Sequence, residues 1–275
     1  MPEFPKSIRM INDRLKNLDP ADVGRKSKII ANVIAAQMLP SSALRGGTSL
    51  KIRYDDHQTR GSKDLDIALS SNRDEFIVEY KDRLSLGWNG FTGVLKQSRK
   101  ISNPENVPSE YITETWDLKL SFNGKEWLSQ EIDLGHDEIG DTSDIELESS
   151  PEINSWFAVC GLPMPNPVPV IQVHHQIAQK IHALALNPLE RIHDLVDLQV
   201  IFKNQDIDPA ITAITCVRLF KSRRALPWPP ELIFNVEASS LYSNALESTE
   251  AIPDLELAVK WFNGMIAKLN SQISK

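Results

Sequence analysis

The chain has 275 residues, 41% of them hydrophobic and 24% charged, a composition that excludes a disordered chain and gives one large domain or two modest ones. Its net charge of −7 argues against a general nucleic-acid coat, although basic residues gathered on one face can still recognise RNA. No apolar run is long enough to cross a bilayer, Met1-Pro2-Glu3-Phe4-Pro5 does not read as a secretory signal, and Cys160 and Cys216 lack disulfide or zinc spacing, so a cytoplasmic protein without a membrane partner is expected.

In chain order, a short amphipathic helix is predicted around Ile8 to Leu15. A longer one opens at Asp19-Pro20 and runs to Gln37 or Met38, with Ile29, Ile30, Val33 and Ile34 on one stripe. Leu44 leads into Gly46-Gly47, and Thr48 to Tyr54 reads as a helix starting there. Leu65 to Leu69 reads as a strand and Arg73 to Leu86 as a helix carrying Phe76, Ile77 and Tyr80 at helical spacing. Tyr111 to Phe122 and Glu126 to Leu134 form a hairpin about Asn123-Gly124, the strongest short turn signal available. Asp137 to Glu152 is acidic and turn-rich and reads as an exposed loop. Pro163, Pro165, Pro167 and Pro169 make an extended connector, because each proline fixes its own backbone and biases its neighbour away from helix. Helices follow over His174 to Leu186, Leu189 to Lys203, Ala210 to Lys221, about Pro229 to Glu247, and Asp254 to Asn270. The expected division is therefore a domain over 1–160, a proline-rich connector over 161–169, and a helical domain over 170–275.

The chemistry begins at Arg45-Gly46-Gly47-Thr48 and continues at Arg60-Gly61-Ser62-Lys63-Asp64-Leu65-Asp66. Strand side chains alternate, so Asp64 and Asp66 point one way while Leu65, Ile67 and Leu69 point to the core. Two carboxylates projecting together repel unless a cation sits between them. Magnesium with a nucleoside triphosphate is the natural candidate, since it accepts one or two carboxylates plus phosphate oxygens. A lone Asp-x-Asp is commonly solvated decoration, and Gly-Gly is commonly just a turn. Their pairing in this order, with Arg60, Ser62 and Lys63 adding polar groups, favours phosphate and metal chemistry. The hairpin's return strand places Glu131 and Asp133 on one face, so Asp133 is a third acidic candidate; taken alone, it fits a solvent-facing position equally well.

A second constellation lies in the first helical hairpin after the connector. A short loop makes the two helices antiparallel neighbours, so Lys180 can approach Asp194, with Asp197 three residues further on the same face. A lysine near a triphosphate neutralises leaving-group charge, and a facing aspartate orients it. On spacing alone an ordinary interhelical salt bridge, worth at most about 1 kcal/mol if exposed, is the simpler account. His174, His175, His182 and His193 lack the spacing of a metal site. Arg218, Lys221, Arg223 and Arg224 form the densest basic cluster, which fits either a solvated helix end or an RNA contact.

Taken together, Arg45-Gly46-Gly47-Thr48-Ser49-Leu50, Arg60-Gly61-Ser62-Lys63-Asp64-Leu65-Asp66, Ala178-Gln179-Lys180-Ile181-His182-Ala183 and Arg191-Ile192-His193-Asp194-Leu195-Val196-Asp197-Leu198 resemble the AbiEii/AbiGii toxin family. That family is a branch of the polymerase-β-like nucleotidyltransferases and includes the MenT toxins. The match spans roughly residues 40 to 200. The resemblance implies an α+β fold, with an N-terminal nucleotidyltransferase mixed sheet flanked by helices and a C-terminal helical bundle lobe, the active site lying in the cleft between them. It implies that Gly46, Gly47 and Thr48 hold the triphosphate, that Asp64 and Asp66 bind Mg2+ or Mn2+ with Asp133 as third carboxylate, and that Lys180 contacts the nucleotide phosphates. Asp194 matches the acidic residue of the last motif, with Asp197 in reserve. Ser62 occupies a position that some relatives use for nucleotide contact and for control by phosphorylation. The chain departs from the pattern in its long interval between Gly47 and Asp64, usual in this branch, and in His193, where a small or basic residue is expected.

The implied activity is that of a metal-dependent nucleotidyltransferase toxin from a toxin–antitoxin or phage-defence system. It transfers a nucleoside monophosphate from a nucleoside triphosphate to an RNA hydroxyl, the tRNA acceptor end being the best known target, with a cognate antitoxin protein as partner. The alternatives are transfer to a protein or small molecule, or a catalytically idle binding fold.

Overall fold

A computed structural model describes residues 2–62, 64–98, 113–234, 238–247 and 249–273. Lys63, and the Tyr111-Ile112 start of the expected hairpin strand, lie outside the described residues. The chain divides into two units, Met1–Asp56 with Gly61–Asp137 and Thr142–Val170, and His57–Arg60 with Glu138–Asp141 and Ile171–Lys275.

The first unit opens with α1 (Ile8–Leu18), capped by the Ser7 hydroxyl on the Met10 amide, and α2 (Val23–Gln37). The second helix starts later than its sequence indicates, because the Asp19 carboxylate folds into a local turn on the Ala21 amide and the Lys26 ammonium. From Ile29 to Ala36 every residue of α2 is buried. The chain then forms β1 (Ser42–Arg45), α3 (Gly46–Tyr54), β2 (Leu65–Leu69), α4 (Arg73–Leu86) and β3 (Phe91–Gln97). Its sheet is extended by β4 (Glu114–Phe122), β5 (Lys125–His136) and β6 (Ile145–Glu148), and after α5 (Pro151–Cys160) by β7 (Val168–Ile171). The strand order is β3-β4-β5-β2-β1-β7-β6.

At the β4–β5 turn, Asn123 and Gly124 take φ of 48° and 75°, the paired positive values of a tight hairpin turn. β2 and α4 span the segments their periodicity indicates. Four features differ from expectation. β1 and β3 are strands that no sequence signal singled out. The proline connector stays without regular structure through Pro167, and only its end enters β7, which pairs in parallel with β1 at Leu44 and Val170; prolines favour extended backbone, and a strand is extended backbone with a partner. The supposed acidic loop contains β6 and the start of α5. Glu146 and Glu148 face inward there, to the 3% exposed guanidinium of Arg53, while Ile145 and Leu147 face solvent. Ser150-Pro151 starts α5 with a hydroxyl cap on the Ile153 amide and proline in the first turn, a recognisable helix opening.

The core of this unit gathers Ile30, Ile34, Leu65, Ile67, Tyr80, Phe91, Leu118, Ile132 and Phe157, each at most 1% exposed. Burial of apolar surface at about 25 cal/mol per Å2 holds α2 and α4 on the sheet.

The second unit is built from α6 (Val173–Leu186), α7 (Ile192–Asn204), α8 (Pro209–Arg223), α9 (Ala238–Leu246) and α10 (Leu255–Asn270). Asp208 and Asp254 cap α8 and α10 through their carboxylates. The helix expected from about Pro229 shrinks to α9, since Pro227, Pro229 and Pro230 forbid a regular helical ladder, and residues 235–237 lie outside the described set. Ile177, Ile181, Leu195, Leu198, Ile201, Cys216 and Phe262 fill the interior of this unit.

Candidate active site

β2 lies between β1 and β5, and this order decides what shares a face. Asp66 is in register with Asp133 on β5 and with Arg45 on β1. Residues in register point to the same side of a sheet, so Arg45, Asp66 and Asp133 share one face, while Leu65, Ile67, Ile132 and Leu134 are wholly buried on the other. Asp64, Asp66 and Asp133 are all half-buried. Asp64 lies just before β2, outside its paired register, and the parallel pairing brings Asp133 beside Asp66.

α3 leaves β1 directly through Gly46. This glycine has φ of 68°, and a Cβ there would lie 1.9 Å from Asp66 Oδ2. No larger residue fits without moving the carboxylate. Asp66 is thus packed against the first turn of α3, where the amides have no intrahelical acceptor and anions are favoured.

Thr48 is 1% exposed, and its hydroxyl is committed within the fold. Oγ1 donates to the Asp64 carbonyl at 2.9 Å and accepts from Asn32 Nδ2 at 3.2 Å, with Ser62 Oγ at 3.4 Å. The hydroxyl thus ties α3 to the strand entry, while Gly46, Gly47 and Thr48 form the first turn of the helix. Ser62 also makes a long contact to the Asp64 carbonyl, at 3.5 Å. Asn32 is a residue that sequence reasoning missed. Its signal was available: it is the single polar residue in the apolar run from Ile29 to Ala36.

Asp133 Oδ1 accepts from Thr115 Oγ1 at 2.7 Å, which orients the carboxylate. Asp64, Asp66 and Asp133 do not bring one oxygen each within 4.8 Å of one another, as expected of like charges that repel. The donor set is nevertheless that of a hard divalent cation, which needs only one or two protein carboxylates beside phosphate oxygens.

In the second unit, Lys180 on α6 is 4% exposed, and Asp194 and Asp197 on α7 are 0% and 2% exposed. Lys180 Nζ donates to Asp194 at 2.7 Å and to Asp197 at 2.6 Å, so both candidate acids bind it. Arg60 grips Asp197 with two parallel hydrogen bonds of 3.0 and 2.9 Å, and Arg191 donates to Asp194 at 2.7 Å. Arg60, which the sequence groups with the Asp64–Asp66 motif, belongs with Asp197 in the second unit. Burial pushes the Asp197 carboxyl up, but Lys180 and Arg60 outweigh it and hold it at about 2. Burial drives the His193 imidazole down to about 4, helped by Arg60, Arg191 and Lys180 and opposed by Asp194, so it is neutral at pH 7. Lys180, Arg60 and Arg191 therefore surround the two buried carboxylates, with the Glu247 carboxylate also acting on Arg60. An exposed interhelical pair does not describe this cluster, where losing one partner would strand a buried charge.

The basic cluster is partly committed. Arg218 donates to the Ile139 carbonyl at 2.9 Å, and Arg223 binds the Glu138 carboxylate at 3.0 Å and approaches His182 Nδ1 at 3.1 Å. Lys221 and Arg224 are exposed. Burial and the nearby Arg223 push His182 down to about 4.

Residues 30–267 match the family model described as the nucleotidyl transferase AbiEii toxin of a type IV toxin–antitoxin system. No curated protein matches the chain. Among solved structures, MenT4, a nucleotidyltransferase toxin from Mycobacterium tuberculosis H37Rv, aligns over 97% of this chain and 90% of its own, with 17% identity and a TM-score of 0.58. JHP933 from Helicobacter pylori aligns over 90% of this chain and 91% of its own, with 14% identity and a TM-score of 0.48. The likeness to MenT4 concerns the fold, which is the mixed α+β architecture of a nucleotidyltransferase toxin. With the family model covering most of its length, the chain belongs to the AbiEii nucleotidyltransferase toxin family.

Proposed function

We propose that this toxin transfers a nucleoside monophosphate from a nucleoside triphosphate to an RNA hydroxyl, the tRNA acceptor end being the preferred class of target. The observation that carries this reading is the register of Asp66 with Asp133 beside the first turn of α3. It joins a carboxylate face to an anion-favouring helix start within a few residues.

Asp64 and Asp66, with Asp133, are the residues that would hold magnesium or manganese. Bound there, the ion would screen the carboxylates from one another and polarise the α-phosphoryl oxygens. The amides of Gly46, Gly47 and Thr48 favour the polyphosphate, Ser62 is the candidate nucleotide contact and phosphorylation site, and Asn32 with Thr48 holds the backbone at Asp64. In the reaction, the acceptor oxygen bonds to the α-phosphorus and the bond to the bridging oxygen breaks. Pyrophosphate departs, and the hydroxyl proton passes to solvent. Lys180 is the candidate contact to the nucleotide phosphates, held in place by Asp194 and Asp197, which Arg191 and Arg60 bind in turn. Lys221 and Arg224 are the exposed basic residues available to an RNA backbone, while Arg218 and Arg223 support the segment that carries Glu138. A cognate antitoxin in the cytoplasm completes the proposal.

The test incubates the protein with each radiolabelled nucleoside triphosphate, magnesium or manganese, total RNA and total protein. Label in RNA that disappears with Asp64→Ala supports the reading. Label confined to protein moves the acceptor to a protein hydroxyl, and label in neither pool with any nucleotide sinks nucleotidyl transfer.

A further inference from the structure

Gly135 lies within β5, where a glycine weakens a strand and commonly marks close approach by another group. That group is Arg45. A Cβ at position 135 would lie 1.8 Å from Arg45 Nη2 and 2.7 Å from Arg45 Cζ, so the guanidinium rests directly on the bare Cα. Arg45 starts on β1 opposite Asp66, and Gly135 is two residues beyond Asp133 on β5. Its side chain therefore crosses β2 on the carboxylate face.

Among the described residues, this guanidinium makes no hydrogen bond or ion pair, although Asp66 and Asp133 share its face. It is half-buried, and none of its nitrogens is sealed from solvent. An arginine with no carboxylate partner keeps its fork of donors for a ligand, and that fork matches phosphate oxygens. Seating it on Gly135 also keeps it from neutralising the carboxylates that a divalent cation would need.

We infer that Arg45 binds the polyphosphate of the nucleotide and that Gly135 is the seat that positions it. This rests on the nucleotidyl-transfer reading above.

The experiment measures equilibrium binding of the α,β-methylene analogues of the four ribonucleoside triphosphates to the full chain in magnesium, with nucleoside monophosphates as controls. Arg45→Ala should weaken triphosphate binding roughly 10- to 100-fold, the weight of one or two charge-assisted hydrogen bonds, and leave monophosphate binding unchanged. Arg45→Lys should recover part of the loss, because a point charge cannot reproduce the fork. Gly135→Ala should weaken triphosphate binding in the native background and add nothing in the Arg45→Ala background, since it acts only by displacing the guanidinium.

Triphosphate affinity within twofold of wild type in Arg45→Ala would overturn the inference. So would an equal Gly135→Ala penalty in both backgrounds. Should Gly135→Ala fail to fold, the two Arg45 variants still decide. A wild-type chain that binds no triphosphate overturns the nucleotidyl-transfer reading and this inference with it, whereas normal wild-type binding with an indifferent Arg45→Ala overturns this inference alone.

Discussion

Two acidic clusters in this protein handle their charge in opposite ways. On the sheet, Asp66 and Asp133 are half-buried and share one face, with the half-buried Asp64 just before the strand and Arg45 seated on Gly135. In the helical unit, Asp194 and Asp197 are almost fully buried, and Lys180, Arg60 and Arg191 bind their oxygens directly. Half-buried carboxylates on one sheet face suit a site that takes its cation from solution. Carboxylates bound in the interior by Lys180, Arg60 and Arg191 suit a rigid element that fixes where Lys180 sits. The same side chain thus faces a ligand site in one place and positions a lysine in the other, and the difference lies in burial and partners.

That contrast can be broken most sharply at Asp64. Asp64→Ala should reduce nucleotidyl transfer by about 10^3-fold or more, the scale on which loss of a metal-holding or charge-stabilising group acts. Its melting temperature should hold or rise, since a like-charge repulsion is removed. A variant that keeps a tenth of the activity would move the reaction centre elsewhere.

Asp197→Ala should do the reverse and strike stability first. It takes from Arg60 its two-pronged carboxylate partner and leaves Lys180 with Asp194 alone, at a cost of about 3–5 kcal/mol, readable by urea denaturation. A loss below about 1 kcal/mol would mean that solvent reaches the cluster.

A smaller effect is expected at the link between α2, α3 and the strand entry. Thr48→Val deprives both Asn32 Nδ2 and the Asp64 carbonyl of a partner, at about 1–3 kcal/mol. It should also raise the magnesium concentration needed for half-maximal transfer, and Thr48→Ser should restore both properties. Failure of the serine variant to rescue would assign the threonine methyl, and not the hydroxyl, the main role.

The smallest effect is the dependence on pH. His182 and His193 stay neutral in the fold down to about 4 but take up a proton near 6.5 when unfolded. Between those values the unfolded chain binds more protons, so stability falls as pH drops through that window. Asp197 extends the loss to lower pH, its contribution being present above 3.8 and vanishing toward about 2. His193→Gln should flatten the change in melting temperature between pH 6.5 and 4, and an unchanged slope would show that this imidazole titrates alike in both states.

Some of the fold and site was legible in the sequence. Ile67 and Leu69 alternate with Asp66, so the acidic face of β2 followed from the two-residue period of a strand, and Asn123-Gly124 announced its hairpin because few residue pairs tolerate consecutive positive φ. Other features were not legible. The glutamates of β6 read as solvent-facing, yet they face Arg53, 93 and 95 positions away in the chain. Nothing near Thr48 in the chain announced that its hydroxyl pairs with Asn32 and the Asp64 carbonyl, 16 positions away on either side.

By itself the sequence determined the local periodicities, the face of β2 that carries Asp66, the glycine start of α3 and the motifs of the toxin family. These depend on neighbours a few residues apart, whose geometry the backbone dictates. The tertiary structure alone decided that Asp133 stands in register with Asp66, that Lys180 is shared by Asp194 and Asp197, that Arg60 partners Asp197, and that Arg45 rests on Gly135. Strand register, burial and long-range pairing arise when distant segments pack, and a charged side chain has no fixed role until packing gives it a partner or leaves it open to solvent.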